Sequence, residues 1–159
     1  MKKKLIIFGQ DGTGKEIAET VSLYYSNVFD DFINIFFDAD SSETESIKEE
    51  IYCKGYEVYF IVSFADYELR KECISFASNY KNFLPFSIIN KESYQAPSAK
   101  IGNGCFIAAN SSISTGAHLN DHIVVNLNVS IGHDVFIEDN VIILPGARIS
   151  GNVKVGEGT

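Results

Sequence analysis

The chain has 159 residues, of which 45% are hydrophobic and 21% charged, a length for one ordinary domain or two small ones and a soluble, globular composition. Its formal net charge of −8 argues against a nucleic-acid partner, whose phosphates need a basic face. No stretch is long or apolar enough for a membrane span, the lysine-rich start lacks a signal peptide's apolar core, and Cys53, Cys73 and Cys105 include no C-x-x-C pair, so a reducing cytoplasm is the expected setting.

Residues 4–9 open with the apolar run Leu5-Ile6-Ile7-Phe8 and end in glycine, which predicts a strand. Residues 14–27 predict a helix with Ile17, Ala18, Val21, Tyr24 and Tyr25 on one face. A second strand is expected over 32–37, a weaker helix over 43–53 and a third strand over 58–64. A third helix over 66–80 opens on Asp66, a residue suited to an N-terminal cap, and a fourth strand covers 84–89. Strand alternating with helix predicts a small parallel α/β sheet of Rossmann type over residues 1–92.

The turn Gly9-Gln10-Asp11-Gly12-Thr13-Gly14-Lys15 fits G-x-x-x-x-G-K, but Glu16 stands where a P-loop places Ser or Thr for Mg²⁺. Nor does it fit G-x-G-x-x-G, since Asp11 replaces the second glycine. A strand, a glycine-rich turn and a helix N-terminus still make a general phosphate cradle, with Gly9, Gly12, Gly14 and Lys15 as its candidate residues. The alternative is a plain strand-to-helix turn. Asp38 and Asp40 follow the second strand, where an acidic residue often holds a ribose hydroxyl. As solvated loop carboxylates they would need no such role.

The character of the chain then changes. Of its twelve Phe and eight Tyr residues, only Phe106 and Phe136 follow Tyr94. From Ile101 every sixth residue is aliphatic: Ile107, Ile113, Leu119, Val125, Ile131, Ile137, Ile143, Ile149 and Val155. Four places after each stands a small or β-branched residue, from Cys105 to Thr159. Three places after each stands Gly, Asn, Asp or His, the types that best tolerate positive φ. Neither a helix nor a simple strand sustains a period of six. A triangular coil does: each short side sends one aliphatic side chain inward, each corner takes a tight turn, and eighteen-residue coils stack at the strand spacing of about 4.8 Å. A left-handed parallel β-helix is therefore expected over 95–159.

Three histidines lie in this part, and histidine is the usual base near neutral pH. His122 takes a corner and His118 an outward place, which read as turn and surface. His133, in Ile131-Gly132-His133-Asp134, points outward, either as a polar corner side chain or as a candidate base. Val124, Leu127, Phe136 and Leu144 also point outward on flat faces, which predicts a buried subunit contact.

The ten-fold repeat resembles that of the hexapeptide-repeat acyltransferases. Together with the domain before it, the chain resembles the sugar acetyltransferase group that includes sialic acid O-acetyltransferases and the nucleotide-sugar N-acetyltransferase of bacillosamine synthesis. The residues that carry the resemblance are Gly9, Gly12, Gly14, Lys15, Asp38, Asp40, Asp66 and Arg70 before the repeat, and Asn126, His133, Asp134 and Gly151 within it. Thr13 stands where the family usually has His, Ala96-Pro97-Ser98-Ala99 where it often has His-Pro-Ser-Ala, and Ile142 in place of a second histidine near the acetyl group. The resemblance implies a cytoplasmic homotrimer that uses acetyl-CoA, without metal, to acetylate the amino group of a nucleotide-linked sugar. It implies that His133 is the base, that Asp134 orients it, that Asn126 contacts the acceptor sugar, and that the Gly151 N–H meets the thioester carbonyl. Family members continue with further coils that help hold CoA, so the β-helix, which reaches only the fifth residue of a tenth repeat at Thr159, is expected to be truncated. Sugar O-acetylation and a truncated, non-catalytic binding protein are the alternatives. A metal-dependent hydratase of the γ-type carbonic anhydrase kind, using His118, His122 and His133, is a remote one.

Overall fold

A computed structural model describes residues 1–37, 42–52 and 55–159, so Asp38, Asp40 and Cys53 lie outside the described residues. It divides into two compact units, Met1–Phe86 and Ser87–Thr159.

The first unit runs β1 (Lys2–Phe8), α1 (Gly12–Tyr24), β2 (Asp31–Ile35), α2 (Ser42–Ile51), β3 (Tyr56–Val62), α3 (Tyr67–Ser78) and β4 (Phe83–Pro85). The four strands form one parallel sheet in the order β2-β1-β3-β4. The chain turns left from β1 to β2 and returns right to β3, so the order reverses between β1 and β3. Leu5, Ile6, Ile7 and Phe8 are all buried, as expected of a central strand covered on both faces. Phe8 meets the rings of Phe37, Phe60 and Phe83 at centroid distances of 5.7–6.1 Å, all edge-on, the geometry the ring quadrupole favours. Helix α1 buries Gly14, Ile17, Thr20 and Val21, one stripe at helical spacing. Helix α3 starts where Asp66 accepts the Leu69 N–H at 2.8 Å.

Two cations are drawn inside this unit. Arg70 is buried, and its Nη1 donates to the Val62 and Phe64 carbonyls at 3.1 Å each, closing the C-terminal end of β3. Lys4 Nζ lies 2.7 Å from Glu50 and 3.0 Å from Asp31. Burial pulls its pKa down, but the bonds to both carboxylates outweigh that, and the net shift is upward. A lysine raised in the fold stabilises it below the ordinary lysine range and loses that contribution as pH rises through the raised value. Lys4→Met is therefore expected to cost roughly 1–2 kcal/mol in a urea melt near pH 7, a low figure because Asp31 and Glu50 keep contact with water. The gap to wild type should close in strong alkali, and a gap unchanged there would show that the ion pairs contribute nothing.

The second unit is a stack of two-residue strands. Three four-stranded parallel sheets hold strands taken every third in sequence. Val124 and Val125 pair with Phe106 and Ile107 on one side and with Ile142 and Ile143 on the other, steps of one eighteen-residue coil. This stacking fits a left-handed parallel β-helix. Ile107, Ile113, Leu119, Val125, Ile131, Ile137 and Ile143 form its core with Cys105, Ala117, Ile123, Val129, Val135 and Val141. All ten expected corner residues have positive φ, from Asp134 at 56° to Gly146 at 74°. The six that are not glycine are Asn, Asp or His, whose short polar side chains tolerate that region.

The division between the units falls earlier than the sequence predicts. The apolar run at 84–89 is not one strand: Phe83–Pro85 joins the first sheet, while Ile88–Ile89 pairs with Phe106–Ile107 in the β-helix. Tyr94–Gln95 pairs likewise with Ser112–Ile113. Ile89 packs on the β-helix core, two repeats before Ile101. Gln95 takes the inward lattice place between them and interrupts the aliphatic series, which is why counting from sequence began at Ile101. Cys73 and Cys105 are buried and form no disulfide among the described residues, of which no helix is long and apolar enough to cross a membrane.

Candidate active site

Each unit carries its own candidate residues. In the second, the corner after Ile131 presents His133 and Asp134 to solvent, with side chains 61% and 63% exposed. Nδ1 of His133 lies 2.9 Å from Oδ2 of Asp134. A carboxylate only accepts, so Nδ1 carries the hydrogen, and in the neutral ring the lone pair is then on Nε2. The pair is fixed by the coils on either side. The Asp134 N–H donates to Thr115 O at 3.0 Å, and His133 O accepts from the Asn152 N–H at 2.9 Å.

Gly151 stands one coil above His133. A Cβ added there would lie 2.4 Å from Nε2 and 2.7 Å from Cδ2 and Cε1, so the ring rests against bare backbone. Gly132 in turn has no room for a Cβ, which would fall 2.5 Å from Gly151 N. Among the described residues no acceptor takes the Gly151 N–H. The family resemblance singled out Gly151 for that N–H; the packing of the imidazole against it appears only in the folded chain.

The other candidates of this unit stand apart from the pair. Asn126 is buried, at 8% exposure, and no bond joins it to His133 or Asp134. His122 sits at its corner with φ 58°, and His118 lies edge-on to Phe136 at 5.2 Å. Of the outward apolar residues, Leu144 is 67% exposed, but Val124 is 1% exposed within the single chain and is not available for a subunit contact.

In the first unit the glycine-rich turn divides into two kinds of glycine. Gly9 has φ 133°, and a Cβ there would overlap Ser63 Oγ. A Cβ on Gly14 would lie 2.4 Å from Gly9 O. Both are glycine because the strand end and the helix start are packed together. Gly12 has nothing within 4 Å, so no packing reason explains it. The helix N-terminus already holds an anion, since the Asp11 carboxylate accepts the Gly14 N–H at 2.9 Å. Asn34, which the sequence reading passed over, ties the turn down by donating to Gly9 O at 3.2 Å and to Gly14 O at 3.0 Å. Its signal was a polar residue inside the apolar run Phe32-Ile33-Asn34-Ile35. An open cavity of about 400 Å³ beside the turn is lined by Gln10, Lys15, Ala18, Glu19 and Asn34. Burial and the nearby Glu19 push the Glu16 carboxyl up from the usual carboxylate range.

No protein-family model matches the chain, and no curated protein matches it in sequence. Solved structures do share its architecture. The acetyltransferase domain of PglB from Neisseria gonorrhoeae FA1090, in complex with acetyl coenzyme A, is 24% identical and has a TM-score of 0.81 over 99% of this chain and 78% of that one. WeeI from Acinetobacter baumannii AYE is 18% identical, with a TM-score of 0.82 over 96% of this chain and 74% of its own. A point mutant of perosamine N-acetyltransferase from Caulobacter crescentus, in complex with CoA and GDP-perosamine, is 18% identical, with a TM-score of 0.79 over 98% and 75%. At these identities the likeness establishes the fold: a parallel α/β unit followed by a β-helix, as in these three structures.

Proposed function

We propose that the protein is an acetyl-CoA-dependent acetyltransferase that acylates the amino group of a nucleotide-linked sugar. The observation that carries this reading is the His133–Asp134 pair, with a free ring nitrogen beside the unpaired Gly151 N–H. Acetyl transfer from a thioester to an amine needs a base for the proton the nitrogen loses and a donor for the oxyanion. His133 Nε2 accepts that proton as the nitrogen attacks the thioester carbonyl, and the Gly151 N–H faces the developing negative oxygen. Asp134 holds the ring in the tautomer that keeps Nε2 free and stabilises the imidazolium. When the carbon–sulfur bond breaks, the proton passes from His133 to the departing thiolate, which leaves as CoA. The shared fold supports the reading, since solved structures with this architecture carry acetyl coenzyme A, or CoA with GDP-perosamine.

In this proposal the first unit is a Rossmann-like holder of the nucleotide, with Gly12 and Lys15 nearest the phosphates and Asp38 and Asp40 at the ribose. Asn126 contacts the acceptor sugar. The enzyme works in the cytoplasm as a homotrimer, with exposed Leu144 among the covered contacts. The activity is tested by following thiol release from acetyl-CoA with a panel of amino-sugar nucleotides. No thiol release above the acetyl-CoA blank with any of them would refute it.

The role of the turn has its own test. Gly14→Val would break the turn itself, because its Cβ would strike Gly9 O. Gly12→Val meets open space and should melt as wild type does, within about 1 kcal/mol. It should nonetheless weaken nucleotide-sugar binding at least ~10-fold by keeping phosphate away from the backbone. Calorimetry showing unchanged affinity would remove the turn from the site.

A further inference from the structure

The catalytic reading of His133 and Asp134 leaves open what aims the carboxylate, and the coil below supplies an answer. Gly116 stands eighteen residues before Asp134, on the same corner column. A Cβ added to Gly116 would fall 2.4 Å from Asp134 Oδ1 and 3.4 Å from its Cγ. The backbone does not by itself demand glycine here. Gly116 has φ 71°, and Asn110, Asn128, Asn140 and Asn152 hold nearly the same conformation at other corners, with φ between 57° and 61°. The space demand comes from one neighbour, the Asp134 carboxylate. Gly146 serves as the control: it too is a corner glycine, with φ 74°, and among the described residues nothing lies within 4 Å of its added Cβ.

We propose that Gly116 is a positioning residue: its missing side chain admits Oδ1 of Asp134, so that Oδ2 reaches Nδ1 of His133. Gly151 plays the matching part for the ring from the coil above, so the pair is held between two bare backbones. This rests on the proposed function only for its catalytic consequence; the geometric part stands without it. Any side chain at 116 is relieved most cheaply by rotation of Asp134, the end of a flexible side chain, which breaks the bond to Nδ1 and spares the coil.

The test compares Gly116→Ala with Gly146→Ala, which carry the same left-handed strain and differ in what the new methyl meets. The direct readout is the tautomer of the neutral His133 ring, read from its imidazole ¹⁵N shifts. Wild type and Gly146→Ala should hold the Nδ1–H form, while Gly116→Ala should shift to the mixture given by Asp134→Ala. In the acetyl-transfer assay Gly116→Ala should lose roughly 10–10²-fold in kcat with little change in KM, the scale of a catalytic group moved by about 1 Å. Both variants should melt alike. If Gly116→Ala does not fold, Gly116→Asn replaces it, since asparagine already occupies four of these corners. A wild-type tautomer in the folded 116 variant, or an equal loss in Gly146→Ala, overturns the inference. A shifted tautomer together with equal activity of wild type and His133→Ala would uphold the positioning and sink the catalytic reading instead.

Discussion

Replacing Ile131 by Asp should leave the β-helix unable to fold, seen as loss of its cooperative transition in circular dichroism. Ile131 is 2% exposed and lies between Ile113 below and Ile149 above, with Ile137 and Val135 among its core neighbours. The substitution forfeits the burial of an isoleucine, about 1.5–3 kcal/mol. It also places a carboxylate where nothing pairs with it, at an effective cost of several kcal/mol more. Against a total stability of about 5–15 kcal/mol this is decisive. The damage is not confined to one coil, because each coil is stabilised through its two neighbours and a lost coil removes both interfaces. Ile131→Val, which keeps the shape and loses one methylene, should cost only about 0.5–1.5 kcal/mol and serves as the control. A wild-type melt for Ile131→Asp would mean that residue 131 does not point into the coil.

His133→Ala should lower kcat about 10²–10⁴-fold, the usual contribution of a placed general base, with a smaller effect on KM. The ring is largely exposed, so its removal should leave the melt within about 0.5 kcal/mol of wild type. That separation of activity from stability makes the experiment decisive. Asp134→Asn should lose less, because an amide oxygen still accepts from Nδ1 while the charge that stabilises the imidazolium is gone. The measurement is thiol release from acetyl-CoA with an amino-sugar nucleotide. Equal rates for wild type and His133→Ala would remove His133 from the mechanism.

The register of the β-helix and its corners could be read from the chain because they are set locally. An aliphatic residue every six places decides which side chain turns in, and a residue tolerant of positive φ three places on decides where the coil bends. The family resemblance pointed to His133 and Asp134, and their contact is local: neighbours in sequence at a corner, they are neighbours in space. Elements of the first unit were legible to within a few residues, from the buried run Leu5–Phe8 to the cap at Asp66.

What escaped the sequence depends on partners far along the chain. Gln95 hid the true start of the β-helix, because only the pairing of Tyr94–Gln95 with Ser112–Ile113 shows that the lattice continues through a polar residue. Gly9, Gly12 and Gly14 look alike as letters, and only the approach of Ser63 and of the Gly9 carbonyl tells packing glycines from an open one. Gly116 repeats the lesson in the β-helix, where only the approach of the Asp134 carboxylate shows what its missing side chain admits. Residue type and local period fixed where the chain turns and which side chains turn inward, since those are decided within a few bonds. Which glycine yields its space to a neighbouring side chain was decided by the tertiary structure, because van der Waals exclusion acts between atoms brought together one coil, or a whole strand crossover, apart.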